Sequence, residues 1–145
     1  LNRCWLIYKS RQIMKEIIIA NNAPAAIGPY SHAVSIEGIV FTSGQIGINP
    51  ETKAMAEGVE AQTEQALTNL KNVLAAAGAS LEDVVKTTVF IKNMSDFAKV
   101  NTIYATYFTD MHPARSCVEV AALPANALVE VEAIAFKSAD ETAHI

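Results

Sequence analysis

The sequence predicts a single α+β domain, a five- or six-stranded sheet with two helices on one face. Three observations carry this. Apolar residues alternate, or run in short β-branched stretches, over most of the chain. Twice the spacing lengthens to three- and four-residue steps, as a helix facing a core requires. No linker or low-complexity segment divides the body of the 145 residues, of which 51% are apolar and 18% charged. That balance excludes disorder and is enough for a proper core.

Taken in order, Ile17–Ile19 is a short apolar strand, and residues 21–29 form a loop rich in breakers. Ser31–Ile36 and Ile39–Ser43 are two strands joined at Glu37-Gly38, a hairpin turn, and Asn49–Thr52 is a further turn. The first helical stripe is Val59, Thr63, Ala66, Leu67, Leu70, Val73, Leu74 and Ala77, stopped by Gly78. Val84–Lys92 is a β-branched strand. Ser95 is the expected cap of a second helix, which runs to about Thr109 and buries Phe97, Val100, Ile103, Tyr104 and Tyr107. Arg115–Ala121 and Leu128–Lys137 are the last strands, expected to form a hairpin around residues 123–126.

Two helices cannot cover both faces of such a sheet. Ile134 and Phe136 alternate with the core positions of the last strand and share the uncovered side with Glu130 and Glu132. A half-apolar bare face predicts a closed homo-oligomer.

Met14 reads as the natural start, with residues 1–13 a non-native or disordered extension; the rival is a basic, acid-poor targeting peptide. The domain is then residues 14–138, followed by a tail of residues 139–145. The net charge is −4, and the first thirteen residues hold three cations and no acid, so the body is more acidic still. Backbone binding to nucleic acid needs clustered cations, so nucleic acid is not an expected partner. No apolar run reaches the length of a membrane span. Two cysteines, Cys4 and Cys117, give neither a disulfide framework nor a metal-ligand spacing. They fit the reducing cytoplasm.

Beyond residue 13 the chain has a single arginine, Arg115, among lysines. Its fixed fork grips a carboxylate or phosphate through two parallel bonds, a task lysine does poorly. Alternation places Arg115, Cys117 and Glu119 on one face and Val118 and Val120 on the other. The valines read as core, so the first face is taken as the non-core side. Glu130 and Glu132 are expected on that same side of a neighbouring strand, bringing cation and acids onto one surface. The alternative for Arg115 is a salt bridge to a glutamate with no ligand. Cys117 reads as a small packing residue; a Cys–His nucleophile would need His32 or His112 brought close by the fold. His112 reads as a loop residue. Thr42–Gly47 could offer backbone N–H groups to an anion, but lacks the lysine and spacing of a phosphate loop. Tyr30 reads as a half-buried loop aromatic and Asn101 as a solvent-facing helix residue. The residues alone reach a carboxylate-sized anion site around Arg115, not a reaction.

Several long motifs resemble the RidA/YjgF family, the reactive-intermediate deaminases. They are residues 22–31 (Asn-Ala-Pro-Ala-Ala-Ile-Gly-Pro-Tyr-Ser), Thr42-Ser43-Gly44-Gln45-Ile46, residues 85–90, residues 113–120 (Pro-Ala-Arg-Ser-Cys-Val-Glu-Val) and residues 129–135. The resemblance implies a chorismate-mutase-like fold. It carries a six-stranded mixed sheet with two helices on one face, in a homotrimer with a central β-barrel and three clefts between subunits. It implies hydrolysis of 2-iminobutanoate and 2-iminopropanoate, or their enamine tautomers, to 2-keto acids and ammonia, detoxifying products of pyridoxal-phosphate dehydratases. Carried over by position, Arg115 and the backbone N–H of Cys117 would bind the substrate carboxylate. Glu130 would activate water, and Tyr30, Ser43, Gly44 and Asn101 would line the cleft, some from the adjacent subunit. The resemblance implies no cofactor and no metal. His112 and a short loop before it depart from the pattern at the cleft rim. The competing readings are a non-catalytic trimeric module sensing 2-keto acids or similar small carboxylates, and an RNA-acting protein, which the acidic body disfavours.

Overall fold

A computed structural model describes residues 14–137; the extension over 1–13, the tail over 139–145, Cys4 and His144 lie outside the described residues. The strands are β1 (Glu16–Ile18), β2 (Ala33–Ile36), β3 (Ile39–Thr42), β4 (Gln45–Ile46), β5 (Val84–Ile91), β6 (Ala114–Glu119) and β7 (Val129–Phe136). The helices are α1 (Val59–Ala76) and α2 (Phe97–Tyr107). All strands join one mixed sheet in the order β1-β2-β3-β7-β5-β6, with β4 pairing β7 beside β3. The two-residue β4 is a strand the sequence pattern did not single out, being too short to show a period.

The β2–β3 turn has positive φ at both central residues, 48° at Glu37 and 85° at Gly38, the backbone that a two-residue hairpin favours. At the end of α1, Gly78 takes φ 79°. Its N–H donates to Ala75 O and that of Ala79 to Leu74 O, so the last carbonyls of the helix are satisfied as expected. The second helix starts later than predicted. Ser95 lies inside a single 3-10 turn, Met94–Asp96, and makes no capping bond. Glu119 Oε2 instead accepts the Met94 N–H at 2.7 Å.

The expected hairpin between the last two strands is absent. β6 pairs only with β5, in parallel, and β7 pairs antiparallel with β5 on its other side. β5 therefore separates Arg115 from Glu130. The alternating pattern could not show this, because strand order depends on how the chain crosses over α2, not on local period.

Both helices pack on one face. Leu67, Leu70, Val73 and Leu74 of α1 are fully buried with Val40, Val89, Ile91, Val129 and Val131 of the sheet. The other face carries Ile39, Phe41, Val118 and Phe136, each more than a third exposed, with Glu130 and Glu132 among them. Two buried amides of α1 fix the loops that build the site. Asn69 Nδ2 donates to Ile46 O at 3.1 Å and Ile48 O at 2.8 Å. Gln62 Oε1 accepts the Leu128 N–H at 2.8 Å. Gly47 permits this approach: a Cβ there would lie 2.6 Å from Gln62 Cα.

Candidate functional site

The sequence-derived site residues fall into two groups, on opposite faces of the sheet. This overturns the expectation that Arg115 and Glu130 share one surface of a protomer. The face assignment of β6 was inverted. Register pairs Arg115 with Thr87, and Thr87 with Ala133; both partners are buried on the helix-bearing side. Arg115 and Cys117 thus face α2, and Val118, read as core, is 43% exposed on the bare face. A valine on an edge strand is apolar whichever side is covered, so composition alone could not orient it.

The first group surrounds Arg115 in a cavity of ≈ 460 Å³, lined also by Asn101, Tyr104, Phe108, His112 and Pro113. Arg115 Nη1 donates to Asn101 Oδ1 at 2.8 Å. Its guanidinium carbon lies 4.8 Å from the Tyr104 ring centroid and 5.5 Å from that of Phe97. Asn101 is thus no solvent-facing bystander, and no carboxylate among the described residues forms an ion pair with Arg115. A guanidinium with no ion pair, set against aromatic faces beside open space, has donors that can take an anion. Cys117 is half-buried against the core. Burial pushes its thiol up and Arg115 opposes the rise, which leaves the thiol a poor nucleophile.

The second group sits in a cavity of ≈ 490 Å³ lined by Tyr30, Ser43, Gly44, Glu130 and Glu132, with Ile27 and Pro124 at its rim. The chain breaks its pairing with β7 between β3 and β4, at Ser43-Gly44. Ser43 N–H donates to His32 O at 2.8 Å and its hydroxyl to Ser31 O at 2.6 Å. Thr42 Oγ1 accepts the Ala133 N–H at 3.0 Å, filling the gap in the ladder. The Glu130 side chain lies in the space a Gly44 side chain would occupy: a Cβ there would be 2.7 Å from Glu130 Cδ. Burial pushes the Glu130 carboxyl above the ordinary carboxylate range, and the charge of Glu132 pushes it further. A half-buried acid with a raised pKa beside a cavity suits proton transfer.

The two histidines do not make a Cys–His pair. His32 Nδ1 accepts the Ala20 N–H at 2.8 Å and its Nε2 meets Pro24 O at 2.8 Å, so the ring staples the N-terminal loop. His112 is a loop residue, as expected, in the connection between α2 and β6, and it lines the Arg115 cavity. Tyr104 and Glu132 were legible only as a core aromatic and a second acid. Their place in the site depends on α2 docking over β6 and on the register of β7.

The class is thus a small α+β domain with an arginine cavity on one face and a raised carboxyl beside a Ser-Gly break on the other. The sequence profile described as Endoribonuclease L-PSP matches residues 20–137, and the chain belongs to this family, the RidA/YjgF family. A 2-iminobutanoate/2-iminopropanoate deaminase of Salmonella typhimurium is 51% identical over 127 residues, 86% of this chain and 99% of that protein. A structure described as a putative endoribonuclease from Thermotoga maritima superposes with TM-score 0.84 at 51% identity, covering 87% of this chain and 100% of that one. A structure of E. coli TdcF with bound serine gives TM-score 0.82 at 44% identity, covering 85% and 99%. No helix among the described residues is long and apolar enough to cross a membrane.

Proposed function

We propose that this protein is a hydrolytic deaminase of reactive 2-imino acids, 2-iminobutanoate and 2-iminopropanoate, acting in the cytoplasm on products of pyridoxal-phosphate dehydratases. The observation that carries the reading is the division of the site. One face offers a cation whose cavity is lined by no carboxylate; the other offers a raised carboxyl whose cavity is lined by no cation. Each half is chemically incomplete, and the half-apolar bare face calls for a second copy of the chain. In a closed homotrimer the Arg115 half of one subunit would meet the Glu130 half of the next. A monomer with this geometry would have no active site, so the reading stands or falls with that assembly.

The chemistry follows from the parts. Arg115 and the Cys117 N–H hold the substrate carboxylate, which removes most of the orientational freedom of the reactants. Once protonated on nitrogen, the imine carbon is electrophilic. Glu130 takes a proton from water as the oxygen adds to that carbon. It then gives that proton to nitrogen and takes the hydroxyl proton as the C–N bond breaks and the C=O bond forms; passing this last proton to the departing ammonia restores the carboxylate and releases ammonium and the 2-keto acid. Tyr30, Ser43 and Gly44 shape the water side and Asn101 the carboxylate side. The bound state needs no metal or cofactor for this sequence of steps.

The name carried by the Salmonella typhimurium relative supports the reaction. The test couples purified protein to a threonine dehydratase and traps surviving imine as its semicarbazone. Semicarbazone should fall with the native chain and stay high with Arg115→Ala; an unchanged yield with the native chain refutes the activity. A second reading, a trimeric module that binds 2-keto acids without turnover, draws on the TdcF structure with bound serine. It would be favoured by ligand binding that survives Glu130→Ala, in a protein that never lowers the semicarbazone yield.

A further inference from the structure

Tyr104 lines the Arg115 cavity yet has no part in the reaction derived above. It is 7% exposed, and Thr87 is fully buried. Parallel pairing sets Thr87 of β5 directly beside Arg115 of β6, both side chains facing α2. Tyr104 follows Asn101 by three residues, on the same side of that helix. It reaches both strands at once. Its hydroxyl lies 2.7 Å from Thr87 Oγ1, and its ring centroid lies 4.8 Å from the guanidinium carbon of Arg115.

The arrangement does more than fill space. A phenylalanine would bury the same ring, but the buried hydroxyl pair fixes where the ring sits. The electron-rich face then attracts the cation, while Asn101 Oδ1 takes one terminal amino group at 2.8 Å. With the guanidinium supported on a ring and tethered at one end, its remaining donors are left for the cavity. A long side chain already ordered loses less entropy when ligand arrives.

We propose that Tyr104, pinned by Thr87, is a positioning residue that holds the Arg115 fork ready for the substrate carboxylate. The inference rests on the placement of that carboxylate at Arg115 in the deaminase reading. Its test uses Tyr104→Leu, Tyr104→Phe and Thr87→Val in the full chain. The dissociation constant of 2-oxobutanoate is measured by calorimetry, and kcat and KM by the coupled imine assay. Tyr104→Leu should weaken 2-oxobutanoate binding and raise KM on the order of tenfold, with kcat within about threefold of native. Tyr104→Phe keeps the ring but loses the pin and should recover only part of that loss, and Thr87→Val, which breaks the same pair, should also fall between native and Tyr104→Leu. If Tyr104→Leu does not fold, Thr87→Val carries the same comparison with a smaller change of shape. Equal dissociation constants across the series overturn the proposal, as does a fall in kcat with KM unmoved. A native chain that binds 2-oxobutanoate but never hydrolyses imine sinks the deaminase reading alone, because the positioning role is read from dissociation constants.

Discussion

The two halves of the site are built on opposite plans. Arg115 is held from several sides: Asn101 tethers it, and Tyr104 and Phe97 support its plane. The Glu130 carboxyl accepts no hydrogen bond from a described residue; its surroundings are Gly44, open cavity and a second acid. The first half stabilises its charge before any ligand arrives. The second leaves its charge uncompensated; burial, and then the charge of Glu132, hold its carboxyl above the ordinary range. A binding group benefits from being ordered in advance, whereas a proton-transfer group benefits from an unsatisfied affinity for a proton.

The strongest way to break this comparison is to give each half to a different chain. Arg115→Ala and Glu130→Ala should each abolish imine hydrolysis. Unfolded together and refolded as a mixture, they should regain about one quarter of native activity, because in a cyclic trimer a random neighbour pair supplies both intact halves that often. A mixture as inactive as its parents would mean that the halves never meet across subunits. The next effect is Gly44→Ala. The new methyl would displace the Glu130 carboxyl, and kcat should fall about 10- to 100-fold, the scale of a misplaced acid–base group. Binding of 2-oxobutanoate, which relies on the other half, should stay within about twofold. Weakened binding together with retained kcat would invert the assignment of roles.

How much of this was legible in the sequence follows the range of the forces involved. The first helix, the Glu37-Gly38 turn and the Gly78 stop are local choices of period and backbone, and they were read correctly; the second helix was placed by its period, but its start was not, because Ser95 caps nothing. The alternation that sets Glu130, Glu132, Ile134 and Phe136 on one side of β7 was also read correctly. The lone arginine marked its own importance, because no charge balance or core role explained it. What failed was relational. Val118 and Arg115 alternate, but nothing in an edge strand says which side α2 will cover. Whether β6 lies beside β7 or beyond β5 is decided by the crossover through α2. Motif resemblance supplied Glu130 as a partner of Arg115 and Asn101 as a cleft residue without saying that β5 would stand between Glu130 and Arg115. Tyr104 was read as core, and it is core; its contact with Arg115 exists only once β5, β6 and α2 are in register.

A finer test acts on the electrostatics of the second half. Glu132 raises the Glu130 carboxyl by charge repulsion, secondary to burial. If Glu130 must be ionised to take a proton from water, kcat/KM should fall as pH drops through its pKa, above the usual range for a glutamate. Glu132→Gln removes the repulsion, so this acid limb should move to lower pH while staying above the ordinary glutamate range, because burial, the larger cause, remains. A limb that moves up, or does not move, would mean that another group controls it.

The smallest effect is on stability, and its sign opposes the usual cost of losing a side chain. A carboxyl whose pKa is higher folded than unfolded binds its proton more tightly in the native state. Its contribution is therefore fully present below the unfolded value and is lost as pH rises through the folded one. At neutral pH the ionised Glu130 weakens the fold, and Glu130→Gln should be slightly more stable than native. Because the group is only half-buried and solvent screens it, the gain should be under about 1 kcal/mol. The difference should shrink as pH is lowered toward the ordinary glutamate range, where native Glu130 is itself protonated. Thermal melts at matched protein concentration across that range check the sign. A substitution in the Arg115 half, Asn101→Ala, removes a partner from a charged donor and should destabilise instead. Opposite signs from the two halves would show that one was built to be stable and the other to react.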